Sequence, residues 1–223
     1  MDLHLSPLEP DVQARLLFLR SDELLFQWND ETNNLQSKLI AHQDARIAFA
    51  RLEEDTGWLP DGVVRCGRNA RGAWAVYVAP PQVMNISTDQ NEALMIPIPM
   101  SLFVGWGQRY YLFALRGKAF DAHEPVYRAP YPNVYDNGRV CWGSHKVPLV
   151  TASNIQQTWQ FFFTTAFNAH IASGKSRTHS ENALDLLREL SAAGKKSFPA
   201  RELIQQAGSV DACIEGLLKR TEG

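Results

Sequence analysis

The chain has 223 residues, with 22 Lys and Arg against 24 Asp and Glu and a formal net charge of −2. That length buries a full-sized core and favours one main domain with a small helical appendix, while near-balanced charge with no long Lys/Arg block gives no strong nucleic-acid signal. No apolar run reaches the length of a membrane span, and the N-terminus lacks a basic segment leading into a signal-type apolar core, so a cytoplasmic protein with no membrane partner is expected.

Taken in order, residues 12–20 and 24–28 are apolar, strand-like runs separated by Ser21-Asp22-Glu23, which predicts a first antiparallel hairpin. The pattern over 35–52 is mixed: Ile47, Ala48, Phe49 and Ala50 suit the close of a short helix, yet Leu39, Ile40 and Ile47 also suit a strand. Residues 73–78 read as a strand stopped by Pro80-Pro81, and 94–104 as a strand interrupted by Pro97 and Pro99, which suits an edge or a bulge. Tyr110-Tyr111-Leu112-Phe113-Ala114-Leu115 is the strongest strand signal, aromatic and apolar on both faces.

Next comes the turn-rich loop Ala129-Pro130-Tyr131-Pro132-Asn133-Val134-Tyr135-Asp136-Asn137-Gly138-Arg139-Val140-Cys141-Trp142-Gly143-Ser144. Its two prolines stiffen the entry, and Asp136-Asn137-Gly138 reverses the chain because Asn and Gly tolerate positive φ. The segment then folds back so that Asn133 faces the Cys141 sulfur. Beyond it the period changes: Ile155, Trp159, Phe162, Phe163, Ala166, Phe167, His170 and Ile171 recur at spacings of three and four, predicting one helix from a capping box at Ser153-Asn154-Ile155-Gln156 to Gly174. Ser180 is expected to cap a second helix, Pro199 to open a third and Ser209 to cap a fourth, with the polar 173–180 as a linker. The expected division is therefore an α+β domain over 1–174 and a helical extension over 175–223.

Cys66, Cys141 and Cys213 are odd in number and form no C-x-x-C pair, so neither a disulfide framework nor a metal site is expected, and no cofactor is implied. Cys66 and Cys213 read as packing residues; Cys141 reads as a functional thiol, against the plainer alternative of a buried small hydrophobe. Arg139, His145 and Lys146, if close in space, would favour its thiolate.

Strands, then Pro-Asn with Cys eight residues on, then helices, is an order that resembles the ubiquitin-conjugating enzymes, whose signature is His-Pro-Asn followed by a Gly and the thioester-forming Cys. More closely, residues 94–100, 129–144 and the Trp159-x-x-Phe162-Phe163 helix resemble a prokaryotic ubiquitin-conjugating-enzyme-like family, the group of PRTRC system protein B. The resemblance implies an α+β fold with an antiparallel meander sheet, a long active-site loop and helices packed on one face. It implies that Cys141 accepts the C-terminal carboxyl of a ubiquitin-like modifier from a ThiF-type activating enzyme and passes it to an acceptor, in systems carried by mobile elements.

Tyr131 stands where the family has His, and the residues after the thiol depart from its eukaryotic members, so thioester formation is better supported than transfer to lysine. Under this reading Asn133 either donates to the developing oxyanion or holds the loop by an Asx-type bond. Pro132 fixes its position, Tyr131 buttresses the loop through its hydroxyl, exposed Trp142 covers the thioester or binds the modifier's tail, and His145 stands near the nucleophile. His170 is expected at a helix C-terminus. Two other functions compete: a cysteine hydrolase of such conjugates, which needs a His against Cys141, and a catalytically silent binding module.

Overall fold

A computed structural model describes residues 7–21, 23–42, 44–45, 57–69 and 72–219. The chain forms two compact units, Met1–Gly57 and Trp58–Gly223.

In the first unit β1 (Ala14–Phe18), β2 (Leu24–Asn29) and β3 (Leu35–Ile40) form an antiparallel meander in that order, with Leu16 opposite Phe26 and Phe26 opposite Lys38. The expected first hairpin is present. Asp30 organises the β2–β3 turn by accepting from the Thr32 hydroxyl and the Asn34 backbone N–H, which hold its carboxyl down to about 2. The short helix expected around Ile47 to Ala50 lies outside the described residues.

The second unit is built on a six-stranded antiparallel sheet ordered β11-β10-β9-β8-β5-β4. Its strands are β4 (Val63–Asn69), β5 (Gly72–Ala79), β8 (Met100–Trp106), β9 (Arg109–Leu115), β10 (Pro125–Arg128) and β11 (Gln205–Ser209). Between β5 and β8 the chain makes a separate hairpin of β6 (Gln82–Ser87) and β7 (Ala93–Ile98), where Pro97 is tolerated on a two-stranded ladder.

β5, β8 and β9 are buried on both faces, which explains their near-continuous apolar runs. Alternation sends Tyr77, Phe103, Tyr110 and Leu112 to one face, where α1 (Ile155–Thr164) and α2 (Ala183–Ala192) pack. It sends Val76, Leu102, Val104, Tyr111 and Phe113 to the other, which receives Val210, Ile214 and Leu217 of α3 (Val210–Lys219).

Two helices differ from the sequence expectation at their ends. α1 stops at Thr164 rather than running to Gly174, because the Thr164 and Thr165 hydroxyls bond back to the carbonyls of Phe161 and Phe162. Phe167 then turns its backbone to the end of β6, donating to the Ser87 carbonyl while its own carbonyl accepts from Asp89. At the start of α1 the Asn154 side chain bonds Thr151 and Leu149 instead of a helical N–H, so no capping box forms. α2 is capped by Asn182, which accepts from the Leu184 N–H, and not by Ser180.

The chain after residue 174, expected as a separate helical extension, lies inside the second unit. Its segment after Pro199 is one 3-10 turn, Ala200–Glu202, followed by edge strand β11. Glu202 pins the 176–178 segment, accepting from the Ser176 hydroxyl at 2.8 Å and from the Thr178 backbone and hydroxyl at 3.0 and 2.8 Å.

Candidate functional site

Residues 133–141 form a small hairpin that completes the outer edge of β9. Within it Val134 pairs with Val140, the Tyr135 N–H donates to the Arg139 carbonyl, and the Cys141 N–H donates to the Asn133 carbonyl at 2.7 Å. The hairpin docks through Gly138, whose carbonyl accepts from Leu112 N–H, and Val140, whose N–H donates to Tyr110, both at 2.8 Å. β10 occupies the rest of the same edge, opposite Phe113 and Ala114.

The local sequence explains this shape. Tyr131, Pro132, Asn133 and Val134 form a buried run, and Val134 and Val140 enter the core of the helical face. Asn133 and Gly138 take positive φ, +64° and +86°, as their residue types permit. Gly138 is required twice over, since a Cβ there would lie 2.2 Å from the Phe113 ring.

Two-residue alternation along a hairpin puts the partners of a non-adjacent pair on one face. With Val134 and Val140 inward, Tyr135, Arg139 and Cys141 share the outward side. Cys141 is half-buried and its thiol is reduced. The neighbouring Cys141 side chain raises the pKa of the Tyr135 phenol, while Arg139 opposes the rise.

The side chains singled out from the sequence take the following places. Asn133 is 7% exposed, and its amide donates to the Ala166 carbonyl at 2.9 Å, tying the hairpin to the segment after α1. Tyr131 is 1% exposed and wedges its ring edge-on against Phe163 at 5.5 Å, with Phe162 and Phe167 at 6.3 Å. Burial pushes its hydroxyl well above the usual phenol range, opposed by Ser101.

Trp142, expected to be exposed, is partly buried: it stacks on Phe161 at 5.9 Å and meets Tyr110 and Phe162 edge-on. His145 is exposed and packs edge-on against Phe161 at 5.6 Å. His170 is not at a helix end; it is exposed, on the wall of a cleft of about 500 Å³ that adjoins the hairpin. Cys66 and Cys213 pack against the two sheet faces, as their sequence contexts suggest.

Three functional candidates escaped the sequence reading. Tyr135 and Asp136 line the cleft with Lys175, whose ammonium is 2% exposed and donates to Asp136 Oδ1 at 2.6 Å. Arg128 Nη1 stands 3.6 Å from the same oxygen and donates to the Gly174 carbonyl. The Lys175 bond holds the Asp136 carboxyl below its usual range, with Coulombic help from Lys175 and Arg128 against partial burial. Tyr135 had a legible signal, the period-2 alternation opposite Arg139; Lys175 had none, because its partner is 39 residues away.

Among the described residues no group of three or more His, Cys, Asp and Glu is placed to hold a metal ion, and no helix is long and apolar enough to cross a membrane. The arrangement offers one half-buried thiol on a rigid hairpin, a phenol hydroxyl beside it and a polar cleft alongside. The family model for prokaryotic E2 family D matches residues 36–206, from β3 through the thiol hairpin into β11. No curated protein and no solved structure shows a match to the chain.

Proposed function

We propose that this chain, which belongs to prokaryotic E2 family D, is a thioester carrier for a ubiquitin-like modifier. Cys141 accepts the modifier's C-terminal carboxyl from a ThiF-type activating enzyme by transthiolation and passes it to an acceptor. The observation that carries the reading is the half-buried Cys141 thiol at the end of a hairpin clamped to the β9 edge. Such a platform presents the sulfur to a partner without the entropy loss of ordering a loose loop.

Asn133 serves as the tie of this platform. An amide carries two hydrogens, and with one given to Ala166 the second is the donor left for the carbonyl oxygen of the thioester. Trp142, next to the thiol in the chain, is held against Phe161, Tyr110 and Phe162 and braces the end of the hairpin. The hydrolase reading is disfavoured, because His145 packs against Phe161 and His179 against Thr178 and Glu189 rather than against the Cys141 sulfur.

The test is reconstitution with a ThiF-type activating enzyme and a ubiquitin-like modifier, ATP and magnesium, resolved on a non-reducing gel. A thiol-sensitive adduct is expected with the native chain and none with Cys141→Ala. Cys141→Ser should trap a thiol-resistant oxyester. An adduct that survives Cys141→Ala, or none with the native chain, overturns the reading.

A further inference from the structure

We propose that Tyr135 is a catalytic residue, its hydroxyl donating a hydrogen bond to the Cys141 sulfur whenever that sulfur carries negative charge. The placement is geometric. Val134 and Val140 are paired and buried, so Tyr135 and Cys141 stand diagonally across the hairpin on its outer side, within the reach of an aromatic side chain. Tyr135 is 43% exposed and also lines the cleft.

The inference rests on Cys141 being the acyl carrier. In loading, the Cys141 thiolate attacks the carbonyl carbon, a new C–S bond forms, and the old one breaks with its electron pair leaving on the activating enzyme's sulfur. In discharge, the acceptor nucleophile bonds the carbon and sheds its proton to solvent, while the C–S electron pair returns to Cys141. Tyr135 keeps its proton throughout and stabilises the charged sulfur before loading and after discharge. The other titratable and charged groups around it are Arg139 on the same hairpin face, and His170 with the Lys175–Asp136 pair in the cleft.

The test is site-resolved alkylation of the intact chain by iodoacetamide, read by peptide mass spectrometry in native protein and Tyr135→Phe. Losing the donor should slow alkylation of Cys141 near pH 7 about threefold, because the bond favours the thiolate at some cost in its intrinsic nucleophilicity. At alkaline pH, where the thiolate dominates in both proteins, the order reverses. Cys66 and Cys213 report the fold and should keep their rates. An unchanged Cys141 pH profile overturns the proposal, as does a parallel change at all three cysteines. If the native chain forms no modifier adduct while the crossover is observed, the carrier reading fails and the Tyr135 contact stands.

Discussion

Gly138 is the residue on which the thiol's position depends most directly. Its φ of +86° and the Phe113 ring 2.2 Å from any Cβ leave no room for a side chain, and its carbonyl anchors the hairpin to Leu112. Gly138→Ala is expected to destabilise the protein by roughly 2–4 kcal/mol, the sum of left-handed strain and overpacking. Thermal denaturation should show a midpoint roughly 5–15 °C lower. A change within error would mean that the hairpin does not sit on Phe113. At this scale the sequence showed a good deal: Pro132, Asn133, Asp136-Asn137-Gly138 and Cys141 announce a stiff entry, a reversal and a thiol. It did not show which way Asn133 points, because Ala166 lies 33 residues away, and it did not single out Tyr135 until the hairpin register was known.

Among the elements, the connection from α1 to α2 departs most from a local reading. The stripe of aromatic residues kept its helical spacing past Thr164, yet the hydroxyls of Thr164 and Thr165 and the pairing of Phe167 with the end of β6 stop the helix. Phe167 stays in the core by a different backbone route. β11 was equally hidden, since Gln205–Ser209 has little strand propensity and is extended only because β10 offers it an edge.

Glu202 secures this region. Burial works to raise its pKa, but the Thr178 N–H and the Ser176 and Thr178 hydroxyls outweigh that and hold the carboxyl below its ordinary 4.5. A depressed folded-state value adds stability that is present above the unfolded value and lost as pH falls through the folded one. Glu202→Gln should therefore cost roughly 1–3 kcal/mol at pH 7. Its denaturant midpoint should also vary less than that of the native protein as pH drops below 4.5. An identical acid dependence in both proteins would exclude the ionised carboxylate as the anchor.

For the whole molecule, the division at 57/58 matters more than the composition shift near 174 that first suggested a linker. Residues 173–180 look like a linker because they are polar and contain Gly, but Lys175 and Ser176 are buried against partners distant in sequence. All members of the three apolar clusters lie between Val63 and Leu218. The fragment 58–223 is thus expected to fold alone, with one cooperative transition and native alkylation kinetics at Cys141. Loss of near-ultraviolet dichroism in that fragment would refute the self-contained core. The α+β class, the antiparallel sheet and the helical cover were legible from strand and helix periodicities; the assignment of α3 to the second sheet face was not, because an amphipathic helix does not state which face it will cover.

The division of the β9 edge between the thiol hairpin and β10 also sets a clock. The Leu112 and Val140 amides close the hairpin onto the sheet, so neither can exchange with solvent until that seam opens. Their deuterium uptake measures how often Cys141 leaves its platform. Uptake as slow as that of β8 would make the thiol a fixed part of the folded core, and a carrier so built releases its cargo by chemistry at the sulfur rather than by movement of the loop.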